Sequence, residues 1–544
     1  MSEADLELGN NTRRHLTHVA RGGAIGLVGA AVSAVAGFVL VLVVTNWYPA
    51  ETAGLFFTAT STFLLLSAIA TLGTETGLSR FMLRYEAQDR RGDIPPLLRA
   101  AFRTTLGCSI VLGVALIAVA EPLSGLIGLD APGGAESLRV LGVLLPFATW
   151  NGLTLAGTRA FGRMRETVFV DKIGRSIGHP LLVFLASLAG SGLLVLTIAW
   201  SVPYVVAALI SSVVFRRFLR KRGTHTHTEP TMGYRELRRE FWAFTWPRSI
   251  TKVAQMAIQR VDIILIAALR SPTEAAIYTA ATRFVALGQF GTQAIQQVLQ
   301  PKFTALLAHH EYASLKDVYR ISAAWSMAVA WPMYVVVGSA PLAYLALFGP
   351  EYEADGVGVV LFMSVAMMFG VATGPADTLL LMSGRSALSL INSLTALALD
   401  IVLCLVLIPR MGMTGAALAW AVAVIIRCTL SVVQTRYTMS IVSFGPAAAI
   451  VAVANIVCFG VPLVLLGQFV DVGIVELALA LLGCVPAYAL ALWLGRRTLM
   501  LGVLRGLVRR EPTPELPGSD LSDEDLPEAD LPDEAPRHRA RRGK

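Results

Sequence analysis

Long apolar stretches, separated by short polar segments, cover the chain from residue 22 to residue 495. A helix needs about 20 mostly apolar residues to cross the hydrocarbon core of a bilayer. The pattern predicts about fourteen such helices, which we call spans 1 to 14, at residues 22–46, 53–73, 98–120, 137–158, 167–189, 192–215, 247–269, 273–297, 320–347, 356–383, 386–409, 413–435, 445–467 and 472–495. We therefore expect an all-α integral membrane protein.

Basic residues are concentrated in alternate loops between the spans. If residues 1–21 are cytoplasmic, the loops on that side hold most of them, namely Arg80, Arg84, Arg90, Arg91, Arg99, Arg159, Arg163, Arg165, the run 216–223, Lys302, Lys316, Arg320, Arg436, Arg496 and Arg497. The opposite loops hold little beyond Arg139, Arg270 and Arg410. Because cytoplasmic loops carry an excess of Lys and Arg, we expect a multi-pass protein of the cytoplasmic membrane with both termini cytoplasmic. The formal net charge of +8 then reports topology rather than nucleic-acid binding.

Two similar segments indicate an internal repeat. WYPAETAGLFFTATSTF (47–63) follows span 1 and LRSPTEAAIYTAATRF (269–284) follows span 7, at an offset of about 222 residues. An offset of six spans preserves orientation, so the copies are parallel six-helix lobes, a layout found in transporters. The predicted domains are a cytoplasmic N-terminus (1–21), an N-lobe of spans 1–6 (22–215), a cytoplasmic linker (216–246), a C-lobe of spans 7–12 (247–440), spans 13 and 14 (441–500) and a disordered acidic tail with a basic end (511–544).

Polar residues form stripes on spans 7 and 8. In span 7 they are separated by steps of 4, 3, 4 and 3, which places them on one helix face, as Arg248, Lys252, Gln255, Gln259 and Asp262. Span 8 repeats the pattern with Gln289, Gln293, Gln296 and Gln300, preceded by Thr279, Thr282 and Arg283. Charged side chains facing lipid are costly, so the stripes predict the wall of one hydrated cavity. The alternatives are hydrogen bonds that only join helices and, for Arg248 and Lys252, side chains that reach the membrane surface.

Other charges within the spans have two interpretations each. Span 5 carries four polar residues that either line the cavity or form internal ion pairs, namely Asp171, Lys172, Arg175 and His179. Asp377 and Asp400 are lone acids that either bind a coupling proton or cation or form structural pairs. Arg260 lies off the stripe, with Asp262 or a neighbouring helix as its partner, and Asp400 is a candidate partner for Arg427.

Enzyme signatures are missing from the sequence. We find no P-loop pattern GxxxxGK[ST], no GxSxG and no HExxH. The five cysteines are far apart and lie in apolar runs, which favours a role as small hydrophobic side chains. We therefore expect a transporter rather than an enzyme, with no cofactor and no metal site.

The order of several segments resembles the Wzx-like polysaccharide flippases of the MOP exporter superfamily, which also contains the MATE drug exporters and the lipid II flippases. The segments are RVDIILIAAL, AIYTAATRF, PKFTALLAHHEYASLKDVYR, EYEADGVGVVLFM, LLLMSGRSALSLINSL and VLIPRMGMTGAALAWAV. The resemblance covers roughly residues 15–440. It implies two lobes in a V, alternating access and an oligosaccharide on polyprenyl pyrophosphate as the substrate. It also implies a cationic cavity, for which the candidates are Arg21, Arg248, Lys252, Arg260 and Arg283.

The chemistry of the stripes is consistent with that substrate. Glutamine offers donors and acceptors to sugar hydroxyls, and arginine binds phosphate in bidentate fashion. The expected partners are the lipid-linked oligosaccharide, membrane lipids, a polysaccharide polymerase and glycosyltransferases, with no nucleic acid. Three alternatives are a lipid II flippase, a MATE-like drug or cation antiporter and, from another class, a membrane glycosyltransferase or polymerase.

Overall fold

The computed structural model of the chain describes residues 26–160, 164–190, 192–221, 230–441, 445–470 and 472–500. Helices account for most of these residues, and no strand occurs among them. Arg21, part of the predicted linker and the predicted acidic tail lie outside the described residues.

The described residues of the first predicted repeat form nine α-helices. Its elements are α1 (Gly26–Trp47), α2 (Ala50–Ala70), α3 (Thr74–Ala87), a short 3₁₀ turn (Arg91–Asp93), α4 (Ile94–Ala118), α5 (Ala120–Leu126), α6 (Gly134–Ala160), α7 (Met164–Thr167), a π-helical segment (Val168–Arg175), α8 (Ser176–Leu188) and α9 (Leu193–Lys221). Span 2 continues through α2 into α3 across a break where Leu72 and Gly73 have φ angles of 48° and 66°. Span 5 comprises α7, the π-helical segment and α8.

The described residues of the second predicted repeat form eight α-helices. Its elements are α10 (Tyr234–Leu269), α11 (Pro272–Ala281), α12 (Arg283–Ala308), α13 (Tyr312–Ser339), α14 (Pro341–Leu345), a 3₁₀ turn (Ala346–Phe348), α15 (Pro350–Ala372), α16 (Ala376–Met382) and α17 (Ser386–Met439). The last of these is a helical hairpin, because Gly412 has non-helical angles (φ 60°, ψ −144°) and Asn392 Nδ2 donates to Gln434 Oε1 at 2.8 Å. Spans 11 and 12 are the two arms of this hairpin.

The remaining helices pack on the outside of α13. They are α18 (Pro446–Asn455), a π-helical segment (Ile456–Gly460), α19 (Val461–Phe469) and α20 (Ile474–Leu494). The Tyr488 hydroxyl accepts from Asn455 at 3.1 Å and donates to the carbonyl of Ala328 in α13 at 3.0 Å. The opposite face of α20 exposes large apolar side chains such as Leu482, which suits contact with lipid.

Ten helices of the described chain are long and apolar enough to cross a membrane. The hairpin α17 is one of them, although it contains two predicted spans. The predicted all-α, multi-pass membrane fold is confirmed, whereas the count of fourteen remains a prediction. The windows of spans 5, 7 and 8 are helical but fall outside these ten, because they carry the charges and helix breaks that build the site below.

Small residues bring the two repeats into close contact. A Cβ atom on Gly54 of α2 would collide with the carbonyl group of Pro272 at the start of α11. A Cβ on Gly73, at the break after α2, would lie 2.8 Å from the backbone nitrogen of Ser249 in α10. Close helix approach through small residues is the usual packing mode where lipid provides no hydrophobic driving force. These contacts place α10 and α11 directly against α2 and α3, and the cavities lie beside them.

Candidate functional site

A first cavity, of about 420 Å³, lies within the second repeat and is lined largely by uncharged polar side chains. Helices α10, α12, α13, α15, α16 and α17 line it, and five glutamines point into it, namely Gln255, Gln259, Gln289, Gln293 and Gln296. We call it the amide cavity. The structure thus brings the glutamines of spans 7 and 8 together, apart from Gln300, which is exposed and lies outside the lining.

An interrupted helix forms one wall of the amide cavity. Span 10 breaks between α15 and α16, where Gly374 has a φ of 69° and leaves Thr373 and Pro375 in the lining. The Tyr319 hydroxyl stabilises the break by donating to the Thr373 carbonyl at 2.7 Å. Non-helical backbone at membrane depth is tolerated where it faces protein or a water-filled cavity. Broken helices of this kind commonly border the substrate sites of transporters.

Two charged residues complete the amide cavity. Asp377 and Arg427 both line it, and Asp377 accepts a hydrogen bond of 2.6 Å from the Ser389 hydroxyl. Arg427 therefore shares its surroundings with Asp377, and the structure does not pair it with Asp400 as the sequence suggested. The amide cavity combines many hydrogen-bonding groups with one residue of each charge.

A second cavity, of about 270 Å³, lies between the repeats. Its first-repeat wall includes Arg175 and residues of α1, α2, α8 and α9, and its second-repeat wall is formed by Arg260, Thr279 and Arg283. Three guanidinium groups thus line one small space, and no carboxylate lines it among the described residues. We call it the arginine cavity.

The arginines from the second repeat are incompletely satisfied. Arg283 Nε donates to the carbonyl of Thr279 at 3.0 Å. Arg260 Nε is buried and has no hydrogen-bond partner among the described residues. A buried N–H without a partner is costly, and like charges in one cavity repel. The cavity therefore favours an anion that accepts hydrogen bonds.

Arg175 is held by a polar network that the sequence did not assign to the site. Its Nε donates to Asp171 Oδ1 at 2.7 Å, its Nη1 lies 3.2 Å from His179 Nε2, and its guanidinium lies 4.6 Å from the centre of the Tyr204 ring. His179 Nδ1 lies 2.9 Å from the carbonyl oxygen of Trp200. Because arginine only donates and a carbonyl only accepts, His179 carries its proton on Nδ1 and accepts from Arg175. The spacing 171, 175, 179 places these residues on one helix face and was the signal available in the sequence.

Asp262 and Asp400 form a buried carboxylate pair outside the lining of both cavities. Their carboxylates and the thiol of Cys404 lie within 4.8 Å of one another. The Tyr278 hydroxyl donates to Asp262 Oδ2 at 2.6 Å. Asp262 therefore lies apart from the glutamines of its stripe, and Arg260 points into the arginine cavity instead of pairing with it. Arg260 and Asp262 face opposite sides of α10, because they are two residues apart and a helix turns about 100° per residue.

Arg248 and Lys252 lie at the predicted cytoplasmic end of the interface between the repeats, outside the lining of both cavities. Lys252 Nζ lies 3.2 Å from Glu75 Oε2. The exposed Arg248 guanidinium lies 3.8 Å from the centre of the Phe244 ring, and that of Arg80 lies 4.0 Å from the same ring. The polar face of α10 is therefore divided along its length, because each turn meets different neighbours.

Solved structures that resemble this fold are membrane transporters. The lipid II flippase MurJ in an inward closed conformation has a TM-score of 0.69 at 12% identity, over 87% of this chain and 99% of that one. An inward-facing multidrug resistance MATE family transporter of the MOP superfamily has a TM-score of 0.61 at 15% identity, over 75% and 94%. A MOP superfamily transporter from Pyrococcus furiosus has a TM-score of 0.52 at 17% identity, over 78% and 95%. At these identities the similarity establishes the fold, and comparison with curated proteins gives no match.

A family model described as "Polysaccharide biosynthesis protein" matches residues 19–307, which is more than half of the chain. The match runs from before α1 almost to the end of α12. It confirms the resemblance inferred from the sequence motifs, and the fold agrees with it. The chain belongs to the polysaccharide biosynthesis protein family.

Proposed function

We propose that the chain translocates an oligosaccharide carried on polyprenyl pyrophosphate across the cytoplasmic membrane by alternating access, for surface polysaccharide biosynthesis. The observation that carries the proposal is the arginine cavity, with three guanidinium groups, no carboxylate in its described lining and an unpartnered Arg260 Nε. In this proposal both termini are cytoplasmic. The glycosyltransferases act before translocation and the polymerase acts after it.

The arginine cavity suits a pyrophosphate group. Arginine presents a planar fork of donors that matches phosphate oxygens. The partly buried setting strengthens these interactions relative to water. Arg260 and Arg283 contribute from the second repeat, and Arg175 from the first. A pyrophosphate bound here contacts both repeats.

The amide cavity suits the sugar portion of the same substrate. Moving a hydroxyl from water into an apolar environment without a hydrogen bond costs roughly 2–7 kcal/mol. The five glutamines offer both donors and acceptors and accommodate hydroxyls without requiring one sugar sequence. The lipid tail remains in the bilayer, since it needs no polar path.

Lipid II is the second candidate substrate, because its pyrophosphate suits the arginine cavity equally well. A cationic drug suits it less, since three arginines repel cations. We propose transport rather than an enzymatic role, because the polar residues line two cavities between helices and the solved structures with a similar fold are named as a flippase and transporters.

The carboxylate pair suits ion coupling. Two buried carboxylates in contact repel unless a proton or cation lies between them. We propose that Asp400, with Asp262, binds the coupling ion, and Asp377 in the amide cavity is the alternative.

Replacement Asp400→Asn removes one charge with little change in shape. We expect this variant to bind substrate but to lose the dependence of translocation on an imposed proton or sodium gradient in vesicles. The matched variant is Asp377→Asn, and an unchanged gradient dependence in Asp400→Asn would reassign coupling to another group.

The function is tested by translocation in vesicles of purified full-length protein. Wild type is expected to move a fluorescent polyprenyl-pyrophosphate oligosaccharide faster than lipid II. The double variant Gln289→Ala with Gln293→Ala is expected to slow oligosaccharide translocation by about 5- to 150-fold, because two hydrogen bonds of roughly 0.5–1.5 kcal/mol each are lost. Its binding of farnesyl pyrophosphate, which has no sugar, should not change.

Two results would contradict this proposal. Faster translocation of lipid II by wild type would make lipid II the favoured substrate. Equal rates for the double variant and wild type would remove the amide cavity from the substrate path. The exposed Gln300→Ala serves as the control, since it removes a glutamine of the same helix outside the cavity.

A further inference from the structure

Glu75 lies at the predicted cytoplasmic side of the interface between the repeats. It lies in the first turn of α3, directly after the break at Leu72 and Gly73. Its carboxylate faces α6 at Gly152, where an added Cβ would lie 2.6 Å from Glu75 Oε1. The missing side chain at Gly152 therefore leaves the space that the carboxylate fills.

The carboxylate of Glu75 holds cations from two directions. Its Oε2 lies 3.2 Å from Lys252 Nζ in α10 and 3.8 Å from Arg159 Nη2 in α6. The three side chains are about one third exposed, at 29% for Glu75, 35% for Lys252 and 29% for Arg159. An anion arriving from solvent therefore has access to both cations.

Two further basic side chains lie near the ion pairs of Glu75. Arg80 and Arg248 lie on the nearby Phe244 ring, and no carboxylate contacts either of them among the described ion pairs. Glu75 is thus paired with two basic side chains, Lys252 and Arg159, while Arg80 and Arg248 lie on the Phe244 ring. An ammonium and a guanidinium that share one carboxylate oxygen also match the chemistry of a phosphate oxygen.

The ion pair joins helices that pack closely. Gly73 approaches the backbone of Ser249, and Gly77 approaches the hydroxyl of Thr245, so α3 lies directly on α10. Lys252 lies one turn beyond Ser249 on α10. Loss of the Glu75 contact therefore removes one of the charged links between α3 and α10.

We propose that Glu75 is an internal substitute for the phosphate of the substrate. In the empty protein it neutralises Lys252 and Arg159 and keeps α3 on α10. A pyrophosphate that reaches Lys252 and Arg159 displaces Glu75 from both cations, loosens the packing of α10 on α3 and so opens the way to the arginine cavity. This inference rests on the proposed function, because it needs a pyrophosphate-bearing substrate.

The proposal predicts that removing the Glu75 charge strengthens substrate binding. Farnesyl pyrophosphate is titrated into purified full-length protein in lipid nanodiscs. Because the competing internal anion is absent in Glu75→Gln, its dissociation constant is expected to fall by about fivefold, the scale of one partly exposed ion pair. A purely structural ion pair gives unchanged or weaker binding in this variant, and either result would overturn the proposal.

A control pair is available between the same two helices. Arg84 Nη1 lies 2.6 Å from Glu240 Oε1, and Glu240→Gln breaks this link between α3 and α10 without touching Lys252 or Arg159. Its affinity is expected to equal that of wild type. An equal gain in Glu240→Gln would show that loosening the helices, not competition, improves binding.

A second readout is independent of the stability of Glu75→Gln. Ser249 is buried between α3 and α10, so Ser249→Cys in the otherwise unchanged chain should react with a thiol reagent faster once farnesyl pyrophosphate is added. Ligand-independent labelling contradicts the proposed displacement. Absence of any farnesyl pyrophosphate binding by wild type contradicts the proposed function itself, whereas binding that Glu75→Gln leaves unchanged contradicts only the role of Glu75.

Discussion

Replacing Arg260 and Arg283 together with alanine is expected to abolish translocation. The two guanidinium groups supply the second-repeat wall of the arginine cavity, and Arg260 Nε has no described partner to lose. A hydrogen bond to a charged group contributes about 1.5–3 kcal/mol, so the loss of two corresponds to a decrease of at least about 100-fold. In a strain lacking the gene, complementation by the double variant should leave surface polysaccharide absent and lipid-linked precursor on the cytoplasmic side.

The control for this result is Arg139→Ala, which removes a basic residue far from both cavities. Arg139 forms exposed ion pairs with Glu121 and Glu136, and pairs of this kind contribute little. Full complementation by the double arginine variant would exclude these residues from the path. Normal polymer in the deletion strain, with no second flippase present, would contradict the flippase function.

Replacing Gly54 with alanine is expected to prevent the two repeats from closing where α2 meets α11. The added Cβ would overlap the carbonyl group of Pro272, which is backbone and cannot rotate away. Overpacking costs typically about 1–3 kcal/mol even where side chains adjust, and backbone adjusts less. We expect a lower midpoint of thermal unfolding in detergent together with a large loss of translocation, because alternating access requires this closed contact.

Gly107→Ala provides the matched control, since a Cβ at this position in α4 meets no atom within 4 Å. Alanine within a helix is favoured over glycine by up to about 1 kcal/mol, so this variant should be as stable as wild type. Wild-type stability and transport in Gly54→Ala would show that α2 and α11 separate without consequence.

Much of the architecture follows from local sequence patterns. Runs of apolar residues identify helices, and the offset between matching segments identifies the repeat, because both depend on the period of a helix and the thickness of a bilayer. The glutamine spacing on spans 7 and 8 indicated a shared face, and in the structure those glutamines, apart from Gln300, line one cavity. Residue spacing did not predict the helix interruption before α16. The backbone there depends on tertiary contacts, such as the hydrogen bond from the Tyr319 hydroxyl to the Thr373 carbonyl.

The division of the polar face of α10 could not be read from its spacing. Residues at steps of 3 and 4 share a face, but a helix of 36 residues meets α3 at one end and the α17 hairpin at the other. Lys252 therefore forms an ion pair with Glu75, and Gln259 lines the amide cavity with the glutamines of α12. Asp262 forms the carboxylate pair with Asp400. Arg175 was undecided in the sequence for the same reason, because its role depends on which cavity the π-helical segment faces.

By itself, the sequence determined that this is a multi-pass helical membrane protein, and it predicted two parallel repeats with polar helices at the start of the second. These properties depend on residue type and spacing within single segments. Only the tertiary structure decided that the polar groups form an amide cavity, an arginine cavity, a carboxylate pair and the ion pairs of Glu75 with Lys252 and Arg159. The physical reason is that each of these is made by side chains from separate helices, and their proximity depends on how backbones approach at positions such as Gly54 and Gly73.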